Sequence, residues 1–234
     1  MSGVRCGMLC VAVAACSGDD TARPDAEQVA AILRVSGTAV EYGASGTTPL
    51  EGVRVGGYRS SDETTEATHT ITAADGSYAL DLETGGVAID GYFKATKDTF
   101  MTTYLYPPGL VDQDFLDARV AMLKPDTFML LTDTFCGANQ LATNGAIVVI
   151  VADSNTAPIA GAVVGSSPAA TKYCYNQGGY PNRNETSTDT DGIAYYLNVP
   201  AGKVTVNALK TGVSLRSDAI FTRPGVITTT VIRP

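Results

Sequence analysis

Tryptophan is absent from this 234-residue chain, and histidine occurs once, at position 69. One histidine cannot build the three-ligand zinc site of a peptidase, which commonly takes two histidines and a carboxylate. It also leaves little to activate a serine. No Gly-x-Ser-x-Gly elbow occurs, and Ser166-Ser167 has no histidine nearby in sequence. Positive charge is scarce as well: 16 Lys and Arg stand against 24 Asp and Glu, a net charge of −8. Without a basic stripe, nucleic acid is excluded as a partner. The acids are scattered through polar stretches (Asp62, Glu63, Glu66, Asp112, Asp114), as for a solvated surface. No pair of them is marked for glycoside chemistry. Asp189-Thr190-Asp191-Gly192 resembles part of a calcium loop. However, Ser187 stands where a further acid would help, and no glutamate follows within 193–199. Neither a metal nor a cofactor is therefore expected, and the chain reads as non-enzymatic. What it has instead is Thr, Val, Ala, 24 Gly and 11 Pro, with 44% hydrophobic residues. Such a composition makes half-buried strands and tight turns, so the expected class is all-β.

The first residues read as a targeting segment. Arg5 is followed by the short apolar run Gly7–Ala15, less than the ~20 residues a membrane-spanning helix needs. Val13-Ala14-Ala15-Cys16 resembles a bacterial lipobox, with Cys16 as the lipidated residue. An ordinary cleaved signal peptide is the alternative. The expected organisation is signal and lipobox over 1–16, then a polar tether over 17–30. Of the five cysteines, Cys136 and Cys174 remain beyond Cys16. Two thiols in an exported protein can pair, or they can sit unpaired as small core residues.

One phrase occurs twice. Thr48-Pro49-Leu50-Glu51-Gly52-Val53-Arg54-Val55 is matched by Ala157-Pro158-Ile159-Ala160-Gly161-Ala162-Val163-Val164. Each is followed by a second shared phrase, Thr72-Ala73-Ala74-Asp75-Gly76 and Thr188-Asp189-Thr190-Asp191-Gly192. From proline to the Asp-Gly aspartate the spacing is 26 residues in the first copy and 33 in the second. A repeated order of turn, strand, loop, turn and strand points to one structural unit present twice. The predicted strands include Val35–Tyr42, Tyr78–Leu82, Tyr92–Thr96, Thr102–Tyr106, Ala146–Val151, Lys203–Ala208 and Val226–Ile232. Tyr58–His69 is polar and reads as a long loop holding a solvated His69. One helix is predicted, from Pro125 through Phe128, Leu131 and Phe135, stopping at Gly137.

These phrases carry a resemblance. Each half resembles the carboxypeptidase regulatory-like domain, through Gly37-Thr38-Ala39-Val40, Pro49–Val55 and Asp75-Gly76-Ser77-Tyr78 in the first. In the second, Pro158–Val164, Asp191-Gly192-Ile193-Ala194-Tyr195-Tyr196 and Val199-Pro200-Ala201-Gly202 carry it. The resemblance implies two tandem Greek-key β-sandwiches of prealbumin-like type, over 31–123 and 144–234, joined by a connector with a short helix over 124–143. Such domains have no catalytic set of their own and are appended to peptidases, receptors and envelope lipoproteins. The implied setting is the bacterial cell envelope, at the outer membrane on its periplasmic or surface face, with membrane contact through lipid.

The best binding candidate is the segment 166–188, which reads as a loop. It gathers Tyr173, Tyr175 and Tyr180 with Asn176, Asn182 and Arg183. Tyrosine offers a broad, rigid face and asparagine adaptable hydrogen bonds, which suit a glycan or a protein. The alternative for this loop is simple packing on its own sandwich. The two functions in play are accordingly a binding or adhesion module using 166–188, and a structural spacer with no specific ligand.

Overall fold

A computed structural model describes residues 28–43 and 46–234. The signal segment, the lipidation cysteine Cys16 and residues 17–27 of the tether lie outside the described residues. The chain runs through β1 (Ile32–Gly43), β2 (Gly46–Pro49), β3 (Arg54–Arg59), β4 (Asp62–Ile71), β5 (Ser77–Glu83), β6 (Gly91–Thr96), β7 (Thr103–Leu105) and β8 (Val120–Met122). A helical stretch follows, α1 (Pro125–Met129) continued by a π-helical segment (Leu130–Phe135). Then come β9 (Gly145–Val151), β10 (Val163–Ser167), β11 (Lys172–Gln177), β12 (Tyr180–Asn182), β13 (Ile193–Val199), β14 (Gly202–Leu209), β15 (Asp218–Thr222) and β16 (Ile227–Ile232). The protein is mostly β, with a β-sandwich architecture. Among the described residues no helix is long and apolar enough to cross a membrane.

Three sheets result among the described residues. In the first, β1 lies between β2, β5 and β8, pairing antiparallel with β2 and β5 and parallel with β8. In the second, β14 lies between β10 and β15. The third has nine strands in the order β12-β11-β13-β9-β16-β7-β6-β3-β4. It draws on both halves of the chain, which meet where β16 pairs parallel with β7 through Ile227–Thr103, Thr228–Tyr104 and Thr229–Leu105.

The two halves use opposite faces of this sheet. Side chains alternate along a strand, and neighbours on β6 and β7 fall in different cores. Phe93 and Leu105 join Val35, Val53, Leu80, Val120 and Met122 under the β1 sheet. Tyr92 and Tyr104 instead join the core of Ile147, Val149, Tyr196, Val204, Val206 and Ile220 under the β14 sheet. The face of the C-terminal half turned away from the β14 sheet is covered by the helical stretch. Phe128 and Cys136 pack there on Ala146, Cys174 and Leu197, and Leu131 packs on Ile227.

Two loop expectations are corrected. Tyr58–His69 is not a loop: it holds the end of β3 and most of β4. β4 pairs only with β3, at the sheet's margin, and shows no buried residue along its length. A strand wet on both faces has no apolar alternation to betray it, and only its β-branched threonines mark it. His69 sits in this strand, its Nδ1 2.8 Å from Glu66 Oε1. The segment 166–188 is also not a loop, since it holds β11 and β12.

Candidate functional site

The β11–β12 hairpin is built from strand geometry. Alternation sends Tyr173 and Tyr175 to one face and Cys174 and Asn176 to the other. Tyr175 is buried in the core with its hydroxyl accepting from Val164 N at 3.1 Å, and burial pushes that hydroxyl's pKa up. The Tyr173 hydroxyl accepts from Ser166 N at 3.2 Å, and its ring stands edge-on to Tyr196 at 5.4 Å. Asn176 is only 1% exposed: its Nδ2 donates to Asp191 Oδ2 at 2.6 Å, and its Oδ1 accepts from the Tyr195 hydroxyl at 2.9 Å. Burial raises the Tyr195 hydroxyl's pKa as well, which keeps it a neutral donor.

Cys174 and Cys136 form a disulfide, with 5.7 Å between their Cα atoms. It ties β11 to the end of the helical stretch. Arg183 strengthens the same junction: its backbone N–H donates to Phe135 O at 3.1 Å and its guanidinium to Thr134 O. Those are carbonyls at the helix end, which otherwise lack donors. Asn182 donates to Gln177 Oε1 at 2.7 Å and accepts from Asn184 N at 3.0 Å, closing the turn. At the tip, the Tyr42 hydroxyl of β1 donates to Gly179 O at 3.0 Å, and Gly178 N donates to Asp189 Oδ2, whose pKa is lowered by that bond.

The predicted ligand-binding set is thereby divided. Tyr175 and Asn176 lie buried and Tyr173 half-buried, each hydrogen-bonded within the fold, because the segment is a strand and not a free loop. Arg183 caps a helix end. Tyr180, 43% exposed, and Asn182 border a shallow depression of about 340 Å³ with Phe135 and Gln177. Among the described residues, no three His, Cys, Asp or Glu side chains group to hold a metal ion.

The sequence reading missed three sets of residues. The first is Thr72 and Thr188. Thr72 Oγ1 accepts from Val53 N at 2.9 Å and donates to Leu50 O at 2.6 Å. Thr188 Oγ1 accepts from Ala162 N at 2.9 Å and donates to Ile159 O at 2.7 Å. Their presence in both copies of the second phrase was the available signal. The second is Asn198, whose side chain receives Leu141 N and donates to Ala138 O, pinning the segment after the helix onto β13. The third is Arg223, on the turn before β16. Its guanidinium carbon lies 4.2 Å from the Tyr104 ring centre and 5.0 Å from that of Tyr92. Nη1 donates to the Tyr106 hydroxyl at 3.3 Å, and Nη2 lies 2.8 Å from Glu63 Oε2, in ion-pair contact without hydrogen-bond geometry. A C-terminal arginine is thus clamped among three N-terminal tyrosines and a glutamate. Nothing local in sequence announces it.

No protein-family model matches the chain, and no curated protein matches it. Solved structures with some likeness include the Bacillus anthracis TIE protein, at 15% identity and a TM-score of 0.28, over 86% of this chain and 34% of that one. The chain therefore spans about a third of that protein's length. Another is GBS52, the minor pilin of Streptococcus agalactiae, at 14% identity and a TM-score of 0.28, covering 86% of this chain and 94% of that one. The shaft pilin SpaA from Lactobacillus rhamnosus GG gives 11% identity and a TM-score of 0.27, covering 87% and 98%. At such scores the likeness transfers neither topology nor activity to this chain.

Proposed function

We propose that this chain is a non-catalytic module of the bacterial cell envelope, lipid-anchored at Cys16, that serves as a stiff structural and adhesive element. In this reading it comprises two tandem carboxypeptidase regulatory-like sandwiches, 31–123 and 144–234, with a helical connector over 124–143. The observation that carries the proposal is the nine-stranded sheet running through both halves. Two beads on a flexible linker would move independently, whereas shared backbone hydrogen bonds and the Arg223 clamp favour a fixed geometry. The Cys136–Cys174 bond fits an oxidising, exported setting. The test is small-angle scattering of the full chain in detergent, with membrane fractionation of Cys16→Ser in parallel. A single extended envelope and release of Cys16→Ser from membranes are expected. A broad distribution of distances between the halves overturns the stiff-module reading, and unchanged fractionation overturns the anchor.

A second reading, ligand binding at the hairpin, is favoured by the exposure of Tyr180 beside the depression at Phe135. It now concerns Tyr180 and Asn182 alone among the tyrosines and asparagines first singled out. Tyr180→Ala should abolish capture of a glycan or envelope protein while leaving the melting temperature within a few degrees. Unchanged capture removes the hairpin from consideration.

A further inference from the structure

Away from the hairpin, a groove of about 390 Å³ opens where the two halves meet, within the size range of small-molecule sites. One wall is the loop after β7, with Pro107, Pro108, Leu110 and Asp112. The other is formed by Arg216, before β15, and Arg233, after β16. The two arginines are held side by side by their backbones, since Arg216 N donates to Arg233 O at 2.9 Å. A methyl group at Gly109 would lie 3.9 Å from Arg216 Nη1, so the loop closely approaches that guanidinium. The ion pairs among the described residues join Arg54 and His69 to Glu66, Lys124 to Glu41 and Arg223 to Glu63, and so leave Arg216 and Arg233 out. Both arginines act electrostatically on Asp218, whose pKa is nevertheless raised by burial. In a chain with eight net negative charges, two guanidinium groups lining one groove outside those ion pairs are a local exception.

The opposite wall selects among anions. Asp112 is exposed at the groove and would repel sulfate, phosphate or any ligand that is only an anion. It would accept hydrogen bonds from a ligand that carries hydroxyl donors beside its negative charge. Part of the loop's backbone is taken up by the fold. Val111 exchanges both its hydrogen bonds with Ile89 at 2.9 Å. Phe115 N donates to Arg34 O and Phe115 O accepts from Ser36 N, while Asp114 Oδ1 accepts from Arg34 N at 2.8 Å. The side chains offer the matching chemistry: guanidinium for a planar carboxylate, carboxylate for hydroxyls, and the carbon surfaces of Pro108 and Leu110 for an apolar ring face.

We propose that this groove binds a carboxylated sugar, a hexuronate unit of an acidic polysaccharide, with its carboxylate on Arg216 and Arg233 and its hydroxyls on Asp112. The site lies apart from the hairpin and stands or falls independently of the stiff-module reading.

Calorimetric titration of the full chain with trigalacturonate tests the proposal, against neutral galactotriose, sodium sulfate and an acidic peptide with a free C-terminal carboxylate. Trigalacturonate is expected to bind and galactotriose not to. Arg216→Gln and Arg233→Gln should each weaken binding about tenfold or more, the loss typical of one charged hydrogen-bonding pair. Asp112→Asn is the decisive variant. It should also weaken trigalacturonate binding, whereas at a plain anion site it would strengthen it. These side chains border solvent, and melting curves of the variants report on folding separately. Absence of binding, indifference to both arginine variants, tighter binding by Asp112→Asn, or equal competition by sulfate or peptide each overturns the proposal.

Discussion

The two copies of the repeated phrase form the same hydrogen-bonded knot and then diverge. In the first, Leu50 N donates to Ala39 O, Ala39 N to Gly76 O, and Gly52 N to Thr72 O. In the second, Ile159 N donates to Val151 O, Val151 N to Gly192 O, and Gly161 N to Thr188 O. The two Asp-Gly turns are alike as well: Asp75 Oδ1 accepts from Ser77 N at 2.9 Å and Asp191 Oδ1 from Ile193 N at 3.0 Å. Strand pairing follows the same plan. β1 pairs with β5 and β8 as β9 pairs with β13 and β16, and β3-β6-β7 corresponds to β10-β14-β15. The difference lies between the two phrases. In the first copy the intervening chain returns as β4 beside β3. In the second, seven residues longer, it crosses over as β11 beside β13 and adds β12. The same knot thus tolerates an intervening strand in either sheet. In the longer copy the Cys174–Cys136 disulfide ties the crossing strand to the helical stretch.

This comparison can be broken at several points, with effects that should descend in size. Cys174→Ser with Cys136→Ser removes the brace found only in the second copy. A bridge closing 38 positions is worth about 4 kcal/mol in the chain-entropy model. Urea unfolding should show that loss, and a change under 1 kcal/mol would mean the hairpin holds without it. Next come Gly76→Ala and Gly192→Ala. Their φ angles are +75° and +69°. An added β-carbon would lie 2.4 Å from Ala39 O in one and 2.5 Å from Val151 O in the other. Each should cost about 3 kcal/mol, and unequal losses would break the equivalence of the knots. Thr72→Val and Thr188→Val should each cost about 2 kcal/mol, since each strands a buried N–H donor at Val53 or Ala162. Differential scanning calorimetry of both would show whether the device is shared. Smallest is Arg223→Ala at the junction, about 1 kcal/mol from lost contacts with the tyrosine rings. Its sharper readout is faster amide exchange in β7 and β16. Unchanged exchange there would leave the clamp without a coupling role.

Much of this was legible in the chain. Turn phrases rich in Pro, Gly and Asp are local chemistry, so the copies, most strands and the Pro125 helix start could be read directly. Strand β4 could not, because a wet edge strand has no apolar period. The segment 166–188 was read as a loop for a related reason. Tyr173, Tyr175 and Asn176 have the composition of a binding loop, yet the same residues serve equally well in a strand that buries alternate side chains. Only the partners Val164, Asp191 and Tyr195, distant in sequence, decide between those uses.

By itself, the sequence determined the repeat, the turn chemistry and the mostly-β character, since these rest on backbone preferences and periods of a few residues. The tertiary structure decided that β16 joins β7, that the two cores lie on opposite faces of one sheet, and that Cys136 meets Cys174. It also placed Arg216, Arg233 and Asp112 around one groove. Those outcomes depend on which long-range pairing buries the most apolar surface while satisfying every strand's backbone, and no local stretch of residues carries that balance.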